Sequence, residues 1–113
     1  MRSGKPKEGW GADMREPTAV KAALKKVFSE HISDDPDRVD QILNRSVYSG
    51  KMDPGQWSPT AKVIVSTEHG IPSPVYTTWA VNSWYKVLDE LNGMGISLFW
   101  EPINGGVVAF YDA

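Results

Sequence analysis

Two histidines, His31 and His69, are the obvious acid–base groups near neutrality, and neither stands in a metal-ligand spacing such as HxxxH. Glu68-His69, followed by Gly70 at the end of a predicted strand, is the better placed for general acid–base work. Ser66, Thr67 and Glu68 are near enough in sequence to orient an imidazole. Adjacent strand residues point to opposite faces, however, and no second acid, base or oxyanion donor stands out, so no catalytic residue is assigned. The acidic run Asp34, Asp35, Asp37 and Asp40 lacks the D-x-D-x-D-G order and distant Glu of a calcium loop, and it falls where a helix N-terminus favours carboxylates. Phosphate-cradling motifs (GxGxxG, GxxxxGK[ST]) and a GxSxG serine elbow are absent. With no Cys, thiol nucleophiles, thiolate zinc sites and disulfide scaffolds are excluded. No metal and no cofactor is expected, and the protein reads as a non-enzyme, with a small hydrolase or nuclease using Glu68 and His69 as a third reading.

Aromatic side chains are the unusual resource. Trp10, Trp57, Trp79, Trp84 and Trp100, with Tyr48, Tyr76, Tyr85 and Tyr111, put many large amphipathic rings into 113 residues. Trp and Tyr dominate binding hot spots. Trp79, Trp84 and Trp100 fall on predicted buried faces and so fill a core. Trp10 and Trp57 fall on an arm and a loop, where a role at an interface is expected.

The chain has the length of one soluble domain, and its 12 basic and 14 acidic residues nearly cancel. Their distribution is uneven: residues 1–26 hold seven basic and three acidic groups, and residues 27–113 hold five and eleven. An acidic body repels phosphate, so nucleic-acid contact would have to use Lys5, Lys7, Arg15, Lys21, Lys25 and Lys26 of the leading segment. The longest apolar run, Val107 to Tyr111, is five residues, so no membrane span or signal h-region is read and a cytoplasmic location is expected.

The elements that must position these residues follow from periodicity. Residues 1–16, rich in Gly and charge, read as a flexible basic arm, and residues 17–113 as a single α+β domain. Val20, Ala23, Leu24, Val27, Phe28 and Ile32 recur at helical spacing after Pro17. A second helix is predicted with Asp35 as N-cap, Pro36 at its first position, Val39, Ile42, Leu43, Ser46 and Val47 buried, and Gly50 as its stop. The short link makes the two an antiparallel pair. Residues 50–60 form a loop around Pro54-Gly55, and Ala61 to Thr67 a strand. Ser73 and Pro74 open a third helix that runs to Asn92 with Gly93 as its stop; Tyr76, Trp79, Ala80, Trp84, Val87, Leu88 and Leu91 make its apolar face, widened by Val81 and Tyr85.

The C-terminal segment reads as a β-hairpin closed by a type I′ turn at Asn104-Gly105, pairing Trp100 with Ala109, Phe99 with Phe110 and Leu98 with Tyr111. That register puts Phe99, Ile103, Val108 and Phe110 on one face and Leu98, Trp100, Val107, Ala109 and Tyr111 on the other. Both faces are apolar, so the hairpin either is sandwiched within the chain or offers its second face to a partner. Pro102 suits an edge strand.

The expected architecture is therefore an αα-hairpin followed by a small antiparallel sheet, made of one strand plus the hairpin, packed on one long amphipathic helix. The expected function is a protein-binding module, a small accessory, inhibitor or assembly protein of the kind phages and mobile elements encode. It would dock on a larger protein, or on further copies of itself, through Trp10, Trp57, Phe99, Phe110, Val108, Ile103 and Tyr85. The alternative is a nucleic-acid binder. A long helix followed directly by a hairpin resembles the recognition helix and wing of a winged-helix module, although here the helix carries Lys86 with Asp89 and Glu90 and the hairpin has no Lys or Arg.

Overall fold

The computed structural model describes residues 7–50, 58 and 60–113, without the side chains of residues 7–14. Three helices and four strands follow in the order α1 (Lys7–Ile32), α2 (Pro36–Ser46), β1 (Val47–Ser49), β2 (Val63–Ser66), α3 (Ala80–Gly93), β3 (Leu98–Asn104) and β4 (Val107–Asp112). All neighbouring strands are antiparallel, in the order β1-β2-β4-β3, so β3 is an edge. This is the α+β architecture expected from the sequence.

α1 buries Val20, Ala23, Leu24 and Phe28 on one stripe, as its period requires. It begins at Lys7, with Pro17 inside it, so ten of the sixteen residues assigned to the arm have helical backbone. A missing apolar period does not exclude helical backbone. Helical backbone bonds are satisfied within the segment and need no apolar stripe; Pro17 removes one of them and crowds the carbonyl four residues before it, without ending the helix. α2 starts as predicted: Asp35 is its N-cap, accepting from the Asp37 N–H at 3.0 Å, and Pro36 opens the helix. It ends earlier than expected, at Ser46, whose hydroxyl donates to the Ile42 carbonyl at 2.6 Å. Val47 then enters β1 directly, a fourth strand not predicted from the sequence. Val47 is buried either way, and pairing with Val65 recruits it to the sheet.

One face of the sheet supplies Val63, Val65, Leu98, Val108 and Phe110 to a core shared with all three helices. Its centre is aromatic. Trp84 of α3 packs on Phe28 of α1 at 5.4 Å between ring centroids, on Trp100 at 5.9 Å and on Phe110 at 6.1 Å. On the opposite face Ile64, Val107, Ala109 and Ala61 form a smaller buried cluster with Tyr48, Ile103 and Tyr111. The Tyr111 hydroxyl hydrogen-bonds the hydroxyl of buried Ser58 at 3.0 Å, tying the segment before β2 onto this face.

The hairpin register differs from the predicted one. Trp100 pairs with Phe110, Phe99 with Tyr111 and Leu98 with Asp112, and a bulge at Ile103 lets Asn104 pair with Val107. The turn is therefore Gly105-Gly106, steadied by the Gly106 N–H donating to the Asn104 side-chain oxygen at 2.8 Å. Neither glycine has the positive φ of a type I′ turn. The bulge adds one residue to β3, which exchanges the faces of the two strands relative to each other and puts Leu98 and Trp100 on the same face as Val108 and Phe110, toward the helices.

α3 also departs at both ends. It starts at Ala80, six residues after Pro74, and its terminus is set by Gly95 rather than Gly93. Gly95 has φ +78°; its N–H donates to the Asn92 carbonyl and that of Ile96 to the Leu91 carbonyl, the paired bonds of a Schellman closure. Gly95→Ala is expected to lower stability by roughly 1 kcal/mol, because a Cβ is disfavoured in that conformation. Gly93 is helical with open space around it. Gly93→Ala is expected to be neutral to stabilising by about 0.5 kcal/mol in thermal unfolding.

Candidate interaction surface

The segment from Ile71 to Trp79 is held by short-range bonds that turn its large side chains outward. Ile71 is buried, and the Pro72 carbonyl accepts the Trp84 indole N–H at 2.9 Å, which pins the link to α3. The Ser73 hydroxyl accepts from the Val75 and Tyr76 N–H groups at 3.1 and 3.4 Å. Ser73 thus caps as predicted, but it caps a single turn. The Thr77 N–H donates to the Ser73 carbonyl, and that of Ala80 to the Thr77 carbonyl, three residues back, where the regular helix begins.

That interruption rotates Tyr76 and Trp79 off the face on which a continuous helix would bury them. Tyr76 is 80% exposed, Trp79 48% and Val75 47%, whereas Ala80, Trp84, Val87 and Leu91 are buried as expected. The predicted core placement of Tyr76 and Trp79 is corrected accordingly. Neither ring is loose. Trp79 stacks on His31, in the last turn of α1, with 4.5 Å between centroids and 35° between planes. The Tyr76 ring lies where a Cβ on Gly105 would sit, against the hairpin turn. The turn is held in place by Thr67, whose hydroxyl donates to the Gly105 carbonyl at 3.0 Å and whose N–H donates to that of Gly106 at 2.9 Å. Exposed Glu68 stands beside Gly106. Three remote parts of the chain meet here: the end of α1, the link into α3 and the hairpin tip.

Of the interface residues read from the sequence, Trp10 and Trp57 lie outside the described residues or side chains. Val108 and Phe110 are fully buried, a correction that follows from the shifted register, which turns them toward the helices. Ile103 is half-buried at the bulge, within the second-face cluster. Tyr85 and Phe99 are exposed, at 57% and 44%. Tyr85 packs on Trp100 at 5.2 Å, and Phe99 on Tyr111 at 5.4 Å, from opposite sides of the sheet. The indole N–H of Trp100 is buried with no hydrogen-bond partner. The centre of the second sheet face is covered by the chain itself, so that face as a whole is not a free surface.

Lys5 and the side chain of Lys7 lie outside the described set, and Arg15 is exposed. The other cations of α1 diverge. Lys25 pairs with Asp40 of α2 at 2.9 Å, Lys26 with Glu90 of α3 at 3.2 Å, and Lys21 donates to Asn44 of α2 at 3.3 Å. These exposed contacts contribute up to about 1 kcal/mol each and place the lysines on two flanks of the helix. Glu68 and His69 are both exposed. Among the described residues no three His, Cys, Asp or Glu side chains are grouped to hold a metal, and no helix is long and apolar enough to cross a membrane. No family model, no curated protein and no solved structure matches the chain.

Proposed function

We propose that the protein is a binding module that docks on a larger protein through the Val75, Tyr76 and Trp79 surface. The observation that carries this reading is the exposure of two large rings on a turn fixed from three sides. A rigid, amphipathic ring loses little conformational entropy on binding, which is why Trp and Tyr dominate interface energetics. The partner is an apolar socket with a basic rim, because residues 27–113 carry five basic and eleven acidic groups, with Glu68 at the edge of the patch. An accessory or inhibitory role on a host protein, of the kind mobile elements encode, fits this mode of action. A nucleic-acid role gains no support from lysines already engaged by Asp40, Glu90 and Asn44.

The test is capture from lysate by tagged wild-type protein and by a Tyr76→Ala/Trp79→Ala variant, with nuclease present and folding checked by circular dichroism. A stoichiometric protein is expected to survive nuclease and to be held at least ~10-fold less tightly by the variant. Equal retention by both proteins sinks the reading, and so does an eluate that is lost on nuclease treatment.

A further inference from the structure

The free edge of β3 has a hydrogen-bonding pattern that complements itself. The Ala113 N–H donates to the Ser97 carbonyl at 3.2 Å, and the register pairs Leu98 with Asp112 and Phe99 with Tyr111. In an antiparallel ladder the bonded pairs alternate, so Ser97, Phe99 and Glu101 bond toward β4 while Leu98, Trp100 and Pro102 direct their backbone groups outward. The bond from the Thr67 N–H to the Gly106 carbonyl puts the alternate residues of β4 on β2, in agreement. Proline has no N–H, and the Ile96 N–H is already engaged by the Leu91 carbonyl. Up to the bulge at Ile103, the outward donors of the strand are therefore those of Leu98 and Trp100, two residues apart, with their two carbonyls beside them.

We propose that this edge pairs with a second copy of the chain, β3 against β3 and antiparallel, about a two-fold axis at Phe99. Leu98 then faces Trp100 of the second copy, and each such pair exchanges two bonds, which uses every outward donor and acceptor of both residues. Moving the axis to Trp100 leaves the Leu98 carbonyls opposite a proline, so the Phe99 axis is the register the edge selects. Phe99 meets its own counterpart in a non-hydrogen-bonded pair, where side chains approach most closely, and its exposed ring is covered there. Glu101, the strand's one charge, faces Ser97 of the second copy, so no like charges oppose. A self-complementary edge needs no other ligand, which favours a second copy over an extended peptide.

Sedimentation equilibrium of the purified chain from roughly 1 μM to 1 mM is expected to show a monomer–dimer equilibrium. Phe99→Glu sets two carboxylates against each other and is expected to weaken it by at least ~10-fold. Phe99→Cys gives a cysteine-free chain one thiol at the axis, and mild oxidation is expected to cross-link it far faster than a Tyr76→Cys control. A chain that stays monomeric throughout overturns the proposal and leaves the edge to an extended peptide. A dimer indifferent to Phe99→Glu, or cross-linking no faster than in the control, also overturns it. The Tyr76→Ala/Trp79→Ala variant should dimerise as wild type, which separates this result from that of the docking surface.

Discussion

Trp84→Ala is expected to lower folding stability by about 4 kcal/mol, the largest effect of any single substitution considered. Trp84 is fully buried and packs on Phe28, Trp100 and Phe110, so truncation opens a cavity where α1, α3 and the sheet meet. It also removes the 2.9 Å bond to the Pro72 carbonyl. For a domain of this size the loss is a large share of a total of about 5–15 kcal/mol and lowers Tm by roughly 15 °C or more. Thermal unfolding followed by circular dichroism is the direct check. Trp84→Phe keeps most of the ring packing and loses the bond, so a cost nearer 1–2 kcal/mol is expected. Equal losses for the two variants would mean that the bond, not the packing, carries the effect.

Gly50→Ala is the second large effect, expected at roughly 2–3 kcal/mol. A methyl group there collides with the Ala61 carbonyl, while the Gly50 N–H donates to the Lys62 carbonyl at 2.9 Å. The obstruction is backbone, so relief requires the end of β1 to separate from the chain entering β2. Hydrogen exchange at the β1 and β2 amides is expected to accelerate accordingly. Gly105→Ala is the contrast: the nearest atoms to its methyl belong to the Tyr76 side chain rather than to backbone, so relief displaces that ring from the hairpin turn without parting two strands, and a smaller cost of about 1 kcal/mol follows. A Gly50→Ala protein as stable as wild type would show that the two strand ends are not closely apposed.

The elements whose signals are local were legible in the sequence. The apolar stripe of α1, the Asp35–Pro36 start of α2, the β-branched run of β2 and the position of Pro102 on an edge strand all rest on residues a few positions apart. Even the Ser73 cap was legible, since its hydroxyl does bond the amides two and three residues on. How far the capped turn continues was not. A continuous helix from Pro74 would bury Tyr76 and Trp79, and the two rings are exposed because the chain opens at Thr77–Thr78 before α3 resumes. The Trp84 bond to Pro72 and the burial of Ile71 hold that break, and both join residues brought together only by the fold.

The sequence by itself determined an α+β chain with its helices in order, a hairpin at the end and apolar residues on both hairpin faces. Periodicity and turn chemistry act over one or two turns of chain and do not depend on the rest of the molecule. Tertiary structure decided the bulge at Ile103, and with it whether Phe110 is core or surface. A strand's side chains alternate with period two, so moving the turn alone shifts the pairing by two and keeps the faces, whereas the one extra residue of the bulge exchanges them, and only burial against Trp84 distinguishes the two arrangements. Conversion of Val47–Ser49 from helix end to strand was decided in the same way, by a partner strand sixteen residues or so away along the chain.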